Sequence, residues 1–399
     1  MTAPDAHVVV VGASLAGTRA AESLRRHGFA GRITLVGAED HFPPVDRPPL
    51  SKSALSWTGD EPPLLERIRV KPTLDADMLL GRAAVRLDVK AHRVRLDDDS
   101  ELDYDGLVVA TGATARWLPG SADLAGVHVL RTADDALRLR RALATGERAA
   151  VVGAGVLGCE IAATCRRLGL EVDLIDLAPL PMLRVVGADV APVIADLHRA
   201  RGVRLHLGRR VLGLAGSETV AGVYVEGDGG VDVVPADVVV VAIGAAPGTD
   251  WLVGSGLEIS DGVVCDARCL AVGSAGTIAA AGDVARQYHP LLDRAVRVEH
   301  WTNAVTQSQV AAQNLLASVS GIGEFVHHTE LPYFWSDQYD WKLQVVGMVT
   351  DTAKPEEGSP EDGRFVVSYR SGGRLVGALC VNMPGRLGRW RRRLEEEMT

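Results

Sequence analysis

Two stretches of this chain follow one plan: a short apolar run, a glycine turn, an amphipathic helix and a second apolar run. In the first, His7–Val11 stops at Gly12, and helical spacing puts Leu15, Ala16, Ala20, Ser23 and Leu24 on one face. Gly28 takes the position just past the helix end, and residues 33–36 form the second run. In the other stretch, residues 149–152 lead into Gly153-Ala154-Gly155-Val156-Leu157-Gly158, then a helix through Leu168 closed by Gly169, then residues 171–175. An unbroken apolar run is what a parallel strand covered on both faces requires. Each stretch therefore reads as a βαβ unit, and two units in one chain imply two nucleotide sites.

The rest of the chain supports an α/β class. At roughly 100 to 200 residues per domain, 399 residues should make two or three domains. No run approaches the roughly 18 apolar residues of a spanning helix, and no leader pattern is visible, so a cytoplasmic protein without membrane contact is expected. A net charge of -9 disfavours nucleic acid. Between the two units lie the Pro-rich loop of Pro43, Pro44, Pro48 and Pro49, a hairpin at 92–96 and 101–104, and a strand at 106–110. Further strands at 237–244 and 277–282 each end in glycine, and a helix should run from about Thr302 to Val319. After Gly321 the pattern shortens and alternates, with a tight hairpin at Ser371-Gly372-Gly373, while the acidic residues 355–362 read as a solvent loop. We expect two Rossmann-like dinucleotide domains, one from 1–114 with 242–325 and the other from 115–241, followed by an α+β domain at 326–399.

The turn Gly153 to Gly158, between strand and helix, satisfies GxGxxG and points to a pyrophosphate on the helix N-terminus. Asp176 follows Gly158 by 18 residues, where a carboxylate accepts hydrogen bonds from a ribose diol. A 2′-phosphate there would cost roughly 1 to 4 kcal/mol per charge pair at 4 Å, so NADH is the expected donor. The first turn, Gly12 to Gly17, has Ser14 in place of the middle glycine, and Glu39 follows Gly17 by 22 residues. Two such folds suggest FAD together with NAD(H).

Seven segments narrow this further: Arg47-Pro48-Pro49-Leu50-Ser51-Lys52, Ala110-Thr111-Gly112, Leu130-Arg131-Thr132, Gly153 to Glu160, Ala281-Gly282-Asp283, Glu299 to Ala304 and Phe334 to Gln338. In this order they resemble the FAD-dependent ferredoxin reductases, the putidaredoxin-reductase-like and rubredoxin-reductase-like flavoproteins that feed bacterial P450 and Rieske oxygenases. The resemblance implies a [2Fe-2S] ferredoxin as electron acceptor. It implies that Ala16, Glu39, Arg47, Lys52, Val85, Arg131, Asp283 and Trp301 hold FAD, beside the glycine-turn residues Gly12, Ser14 and Gly17 and the motif residues Thr111, Gly112, Gly244 and Gly282. It assigns Gly153, Gly155, Gly158, Glu160 and Asp176 to the nicotinamide nucleotide, and Lys52 with Glu160 to the place where hydride reaches flavin N5. Ala38 and Val45 depart from the family's usual acid and tyrosine, which leaves the ribose contact to Glu39. The helix starting near Thr302 could direct its positive end at flavin N1 and O2.

Residues 37–56 contain no cysteine, and neither Cys159 with Cys165 nor Cys265 with Cys269 has a redox spacing, so buried thiols are expected. The eleven histidines include the adjacent His327 and His328 but no HExxH, and no metal site is expected. Arg386, Arg389, Arg391, Arg392 and Arg393, with Leu387, Trp390 and Leu394 at helical spacing, read either as a docking face for an acidic ferredoxin or as a solvated helix paired with Glu395, Glu396 and Glu397. Trp335 divides similarly between docking and packing. The competing functions are a nonthiol NADH oxidase, a nitrite reductase component, or a redox sensor resembling apoptosis-inducing factor.

Overall fold

The apolar runs become the centres of two parallel sheets, and the α/β expectation holds. The computed structural model describes residues 5–56, 74–227, 229–321 and 323–398. These fall into two units: Met1–Asp46, Glu66–Thr114 and Ala246–Pro332 form the first, and Arg47–Leu65, Ala115–Ala245 and Tyr333–Thr399 the second. Among the described residues, no helix is long and apolar enough to cross a membrane.

In the first unit, five parallel strands lie in the order Ile278–Ala280, Gly106–Val109, His7–Val11, Arg32–Gly37 and Asp77–Leu80. Side chains alternate along a strand. Val8 and Val10 accordingly pack with Leu24 of the helix Leu15–Arg26 and with Ala311 and Leu315 of the helix Trp301–Ser320. Val9 and Val11 pack on the other face with Leu87, Val94 and Leu96. The expected hairpin forms as Arg93–Leu96 with Glu101–Asp103 and acquires a third strand, Ala84–Asp88.

The second unit repeats the plan with strands Val203–Leu207, Glu171–Asp176, Arg148–Val152, Val238–Val241 and Val127–His128, all parallel in that order. Its antiparallel meander of Val211–Gly216, Val220–Gly227 and Gly230–Pro235 sends Val223, Val225 and Val234 against Val152, Ile175 and Val239. A separate antiparallel sheet follows in the order Tyr333–Gln338, Trp341–Gly347, Arg374–Val381, Arg364–Ser371 and Ala353–Ser359. Gly372 (φ 56) and Gly373 (φ 84) supply the two left-handed residues of the hairpin turn. The helix Pro384–Met398 buries Trp390 and Leu394.

One expectation fails here. Residues 355–362 are not simply a solvent loop, because Ala353–Ser359 is the edge strand of the sheet. Its pairing slips between Pro355 and Glu357, and an edge with a bulge is where a strand tolerates proline and charge. Glu356 accepts a hydrogen bond from Ser368 (2.7 Å), and Glu357 pairs with Arg386 (2.7 Å).

Candidate functional site

The first glycine turn is fixed by steric contact. Gly12 has φ +116, and a Cβ there would lie 2.1 Å from the Ala110 carbonyl oxygen; a Cβ on Gly17 would lie 1.7 Å from that of Gly12. Ser14 is the helix N-cap in extended conformation, and its hydroxyl makes no capping bond. A Cβ on Gly282 would meet the Cβ atoms of Ala16 (2.9 Å) and Ala304 (3.8 Å). The starts of both long helices of this unit thus converge on Gly282, which concentrates free amides and two positive helix ends where an anion can sit. Such a cradle fits the pyrophosphate of a dinucleotide.

Around that cradle, the Gly282 amide donates to Gln307 (2.8 Å), and the Asp283 carbonyl accepts from Arg297 (3.2 Å). Trp301 Nε1 donates to Asp46 (2.8 Å), which orients the half-buried indole. His300, the residue before that helix, is held neutral because burial pushes its pKa down to about 4 against the pull of Asp283. The Thr111 hydroxyl donates to the Gly248 carbonyl (2.7 Å), and Gly112 has φ +67. Glu39, just past the strand Arg32–Gly37, lies 3.3 Å from His41 Nε2. Val85 stands on the strand Ala84–Asp88 and is 47% exposed.

The second unit carries the second turn. Gly153 (φ +106) would place a Cβ 2.3 Å from the Ala242 carbonyl oxygen, and Gly158 would place one 1.8 Å from that of Gly153. Gly155 differs, since a Cβ there meets nothing within 4 Å. That open face, at the N-cap of the helix Val156–Arg167, fits a second pyrophosphate. Gly244 (φ +96) is equally open. Asp176 ties the turn down: Oδ2 accepts from the Ala154 amide (2.5 Å) and Oδ1 from that of Ala178 (2.7 Å). A ribose diol would use the lone pairs these bonds leave, since an ionised carboxylate offers about four acceptor sites. Arg131 precedes the capping box of Thr132 and Asp135, and its amide donates to Asp135 (3.0 Å).

Lys52 and Glu160 do meet. Lys52 follows the short 3-10 turn Pro48–Ser51, which Arg47 caps, and its Nζ donates to Glu160 Oε2 (2.8 Å) and to the Pro48 carbonyl (3.0 Å). Their side chains are 19% and 5% exposed, so the pair is largely shielded from water. Glu160 and Thr164 lie four apart on one helix face, and Thr164 anchors the Ser51 carbonyl (2.8 Å). Sequence reasoning missed three further donors to Glu160: the Ser51 hydroxyl (2.6 Å), the Ser336 hydroxyl (2.8 Å) and the Asp337 amide (3.3 Å). The last two come from the Phe334 to Gln338 segment, which the sequence singled out only through the resemblance.

All five cysteines are free and buried. Burial pushes each thiol up, to about 12 for Cys165 and Cys380, so no reactive thiolate forms near neutral pH. Among the described residues, no three His, Cys, Asp or Glu side chains are grouped to hold a metal. On the C-terminal helix, Arg386 and Arg389 reach Glu357 (2.7 and 3.7 Å), Arg391 reaches Glu395 (3.1 Å) and Arg393 stacks on Trp390 (4.7 Å). The cluster therefore spends much of its charge within the chain. Trp335 is half-buried and stacks on Tyr333 at 6.1 Å.

Residues 6–308 match the family described as pyridine nucleotide-disulphide oxidoreductase, and residues 333–399 match the reductase C-terminal family. The chain is 39% identical to the ferredoxin–NAD(+) reductase component of the anthranilate 1,2-dioxygenase system of Burkholderia cepacia, over 96% of this chain and 93% of that one. It is 36% identical to rhodocoxin reductase of Rhodococcus erythropolis, over 94% and 86%. Its fold matches the crystal structure of a covalent putidaredoxin reductase–putidaredoxin complex with a TM-score of 0.88 and 32% identity, over 99% of this chain and 94% of that one. The chain belongs to the pyridine nucleotide-disulphide oxidoreductase family, among its ferredoxin reductases.

Proposed function

We propose that this protein carries electrons from NADH through FAD to a [2Fe-2S] ferredoxin that serves a P450 or Rieske oxygenase. The observation that carries this reading is the shielded Lys52–Glu160 pair in a chain whose cysteines are all buried. When bound, FAD supplies the conversion of a two-electron hydride donor into single-electron steps. The protein's own residues bind and orient. The converging helix starts at Gly12 to Gly17 and Gly282 to Trp301 hold the FAD diphosphate, Trp301 is fixed by Asp46, and the open face at Gly155 takes the NADH diphosphate. Asp176 receives the ribose and disfavours a 2′-phosphate. Glu160 holds the Lys52 ammonium in one place, where its positive charge favours the negative charge that hydride arrival creates.

The relatives' names mention dioxygenase systems and rhodocoxin, which supports a small iron–sulfur or redox protein as acceptor. A cytoplasmic location goes with this reading, since NADH and a small protein acceptor are both supplied there. The test is stopped-flow reduction of the flavoprotein by NADH. Lys52→Ala should slow it by about 10²-fold with FAD affinity little changed; an unchanged rate would refute the reading. NADH-dependent cytochrome c reduction that is indifferent to added ferredoxin would favour an oxidase or a nitrite reductase component instead.

A further inference from the structure

We propose that Ser336, Gln338 and His198 are positioning residues for the Lys52–Glu160 pair, forming a hydrogen-bond string of one direction that locks the Glu160 carboxylate in place. The proposal rests on the function given above and assigns a role to the Phe334 to Gln338 segment.

Ser336 and Gln338 are two apart on the strand Tyr333–Gln338, so they share a face, and both are fully buried. Gln338 Nε2 lies 3.1 Å from Ser336 Oγ and 3.0 Å from Met182 Sδ, and Ser336 Oγ lies 2.8 Å from Glu160 Oε1. At the other end, Gln338 Oε1 lies 3.1 Å from His198 Nε2, and His198 Nδ1 lies 3.1 Å from the Tyr339 hydroxyl.

The polarity follows from what each group can do. Glu160, paired with an ammonium, only accepts, so the Ser336 hydroxyl must donate to it. The Ser336 oxygen then accepts a hydrogen bond from the Gln338 amide, which turns the Gln338 carbonyl towards His198. A carbonyl needs an N–H, so His198 is the Nε2–H tautomer and its Nδ1 accepts from Tyr339. Burial supports both ends, keeping His198 neutral with a pKa pushed to about 4 and raising that of the Tyr339 hydroxyl. No link can reverse without orphaning a buried polar atom. Glu160 Oε1 is thereby committed to Ser336 and to the Asp337 amide, and Oε2 to Ser51 and Lys52. The carboxylate cannot rotate, and Lys52 keeps a third N–H that neither Pro48 nor Glu160 uses.

The experiment compares Ser336→Ala, Ser336→Thr, Gln338→Met and Lys52→Ala as FAD-loaded proteins, with thermal melts to confirm folding. The readouts are the limiting rate of flavin reduction, the NADH Kd, and the His198 tautomer by nitrogen-15 NMR. Wild type should show the neutral Nε2–H tautomer. Gln338→Met should release that preference, and Ser336→Ala, which leaves only Met182 Sδ to orient the Gln338 amide, should weaken it. Both should lower the limiting rate about 10-fold with NADH Kd within about twofold, and Ser336→Thr should restore it. A wild-type Nδ1–H tautomer overturns the proposal. So does a wild-type limiting rate in Ser336→Ala and Gln338→Met when Lys52→Ala is slow. If Lys52→Ala is itself at wild-type rate, the underlying function falls and this role with it.

Discussion

The two glycine turns occupy equivalent places in two equivalent sheets, yet they differ at their middle residue. The outer glycines are alike: Gly12 and Gly153 have strongly positive φ against a neighbouring strand, and Gly17 and Gly158 press on the carbonyl of the first glycine. The middle position is Ser14 in one turn and Gly155 in the other, where the backbone has an ordinary conformation (φ -88 and -75) and a Cβ on Gly155 would meet nothing within 4 Å. The outer glycines therefore serve the fold, and the middle one serves whatever approaches the turn. A serine in the middle is a statement about a ligand's clearance and carries no cost to the chain's own packing.

The sharpest way to break this comparison is to methylate the second turn at each place. Gly158→Ala would put a Cβ 1.8 Å from a backbone oxygen that cannot move aside. It should destabilise the second unit by about 3 kcal/mol or more, in the range of severe overpacking, and show as a large loss of Tm. Gly155→Ala should leave the melt nearly unchanged and weaken NADH binding about 10-fold, the size of a 1.4 kcal/mol loss. Equal melts for the two variants would remove the distinction between outer and middle glycines.

Acid compares the units as wholes, since each keeps histidines neutral by burial: His300 and His328 in the first and His198 in the second, all pushed to about 4. The unfolded chain takes up these protons near pH 6.5, while the folded chain resists until about pH 4. Stability is therefore unaffected above about pH 6.5 and falls below it, by about 1.4 kcal/mol per pH unit for each histidine. At pH 5 that is about 2 kcal/mol each. Urea melts at pH 7 and pH 5 should show this loss, and His328→Gln should recover part of it. A stability that is flat over this interval would show that none of these rings is held neutral by the fold.

Asp176 ends its strand and Glu39 lies just past the corresponding one, but the two are engaged differently. Asp176 holds two backbone amides, whereas the Glu39 carboxylate lies beside the His41 ring. Asp176→Asn replaces one acceptor oxygen by a donor facing an amide, which should cost about 1 to 3 kcal/mol of stability and reduce the preference for NADH in kcat/KM. Should wild type use NADPH as well as NADH, Asp176 is only a brace for the turn.

These contrasts mark how far the sequence could be read. The central parallel strands were legible because both their faces are buried, which writes unbroken valine and alanine runs, whereas the less buried parallel edge strands Asp77–Leu80, Val203–Leu207 and Val127–His128 were not; the hairpin at Ser371 was legible because its turn needs two glycines in succession. The edge strand Ala353–Ser359 was not legible, since charge and proline signal a loop and a guarded edge equally well. The Lys52–Glu160 pair was reached through the resemblance. Its supporting donors, Ser51 and Ser336, stand 109 and 176 residues from Glu160. No local pattern reports contacts of that span, and a serine that donates to a buried carboxylate looks like any other serine. The dual duty of Asp176 escaped for a similar reason, because spacing locates a carboxylate without saying which amides have already claimed its oxygens.

The smallest expected effect tests the first turn directly. Ser14 is an N-cap by position, but its hydroxyl makes no capping bond. Ser14→Gly should therefore cost only a few tenths of a kcal/mol, the ordinary difference between these residues at an N-cap that lacks its bond. FAD affinity should stay within about twofold, since removing a hydroxymethyl enlarges the clearance without removing a backbone amide, and a twofold change is about 0.4 kcal/mol. Ser14→Val supplies the contrast: a branched side chain fits the extended backbone of the N-cap but narrows the approach to it, so FAD should dissociate faster while the melt of the FAD-free protein stays unchanged. If Ser14→Gly were to weaken FAD as much as Ser14→Val, the hydroxyl itself would be a ligand contact, and the first turn would differ from the second in chemistry as well as in clearance.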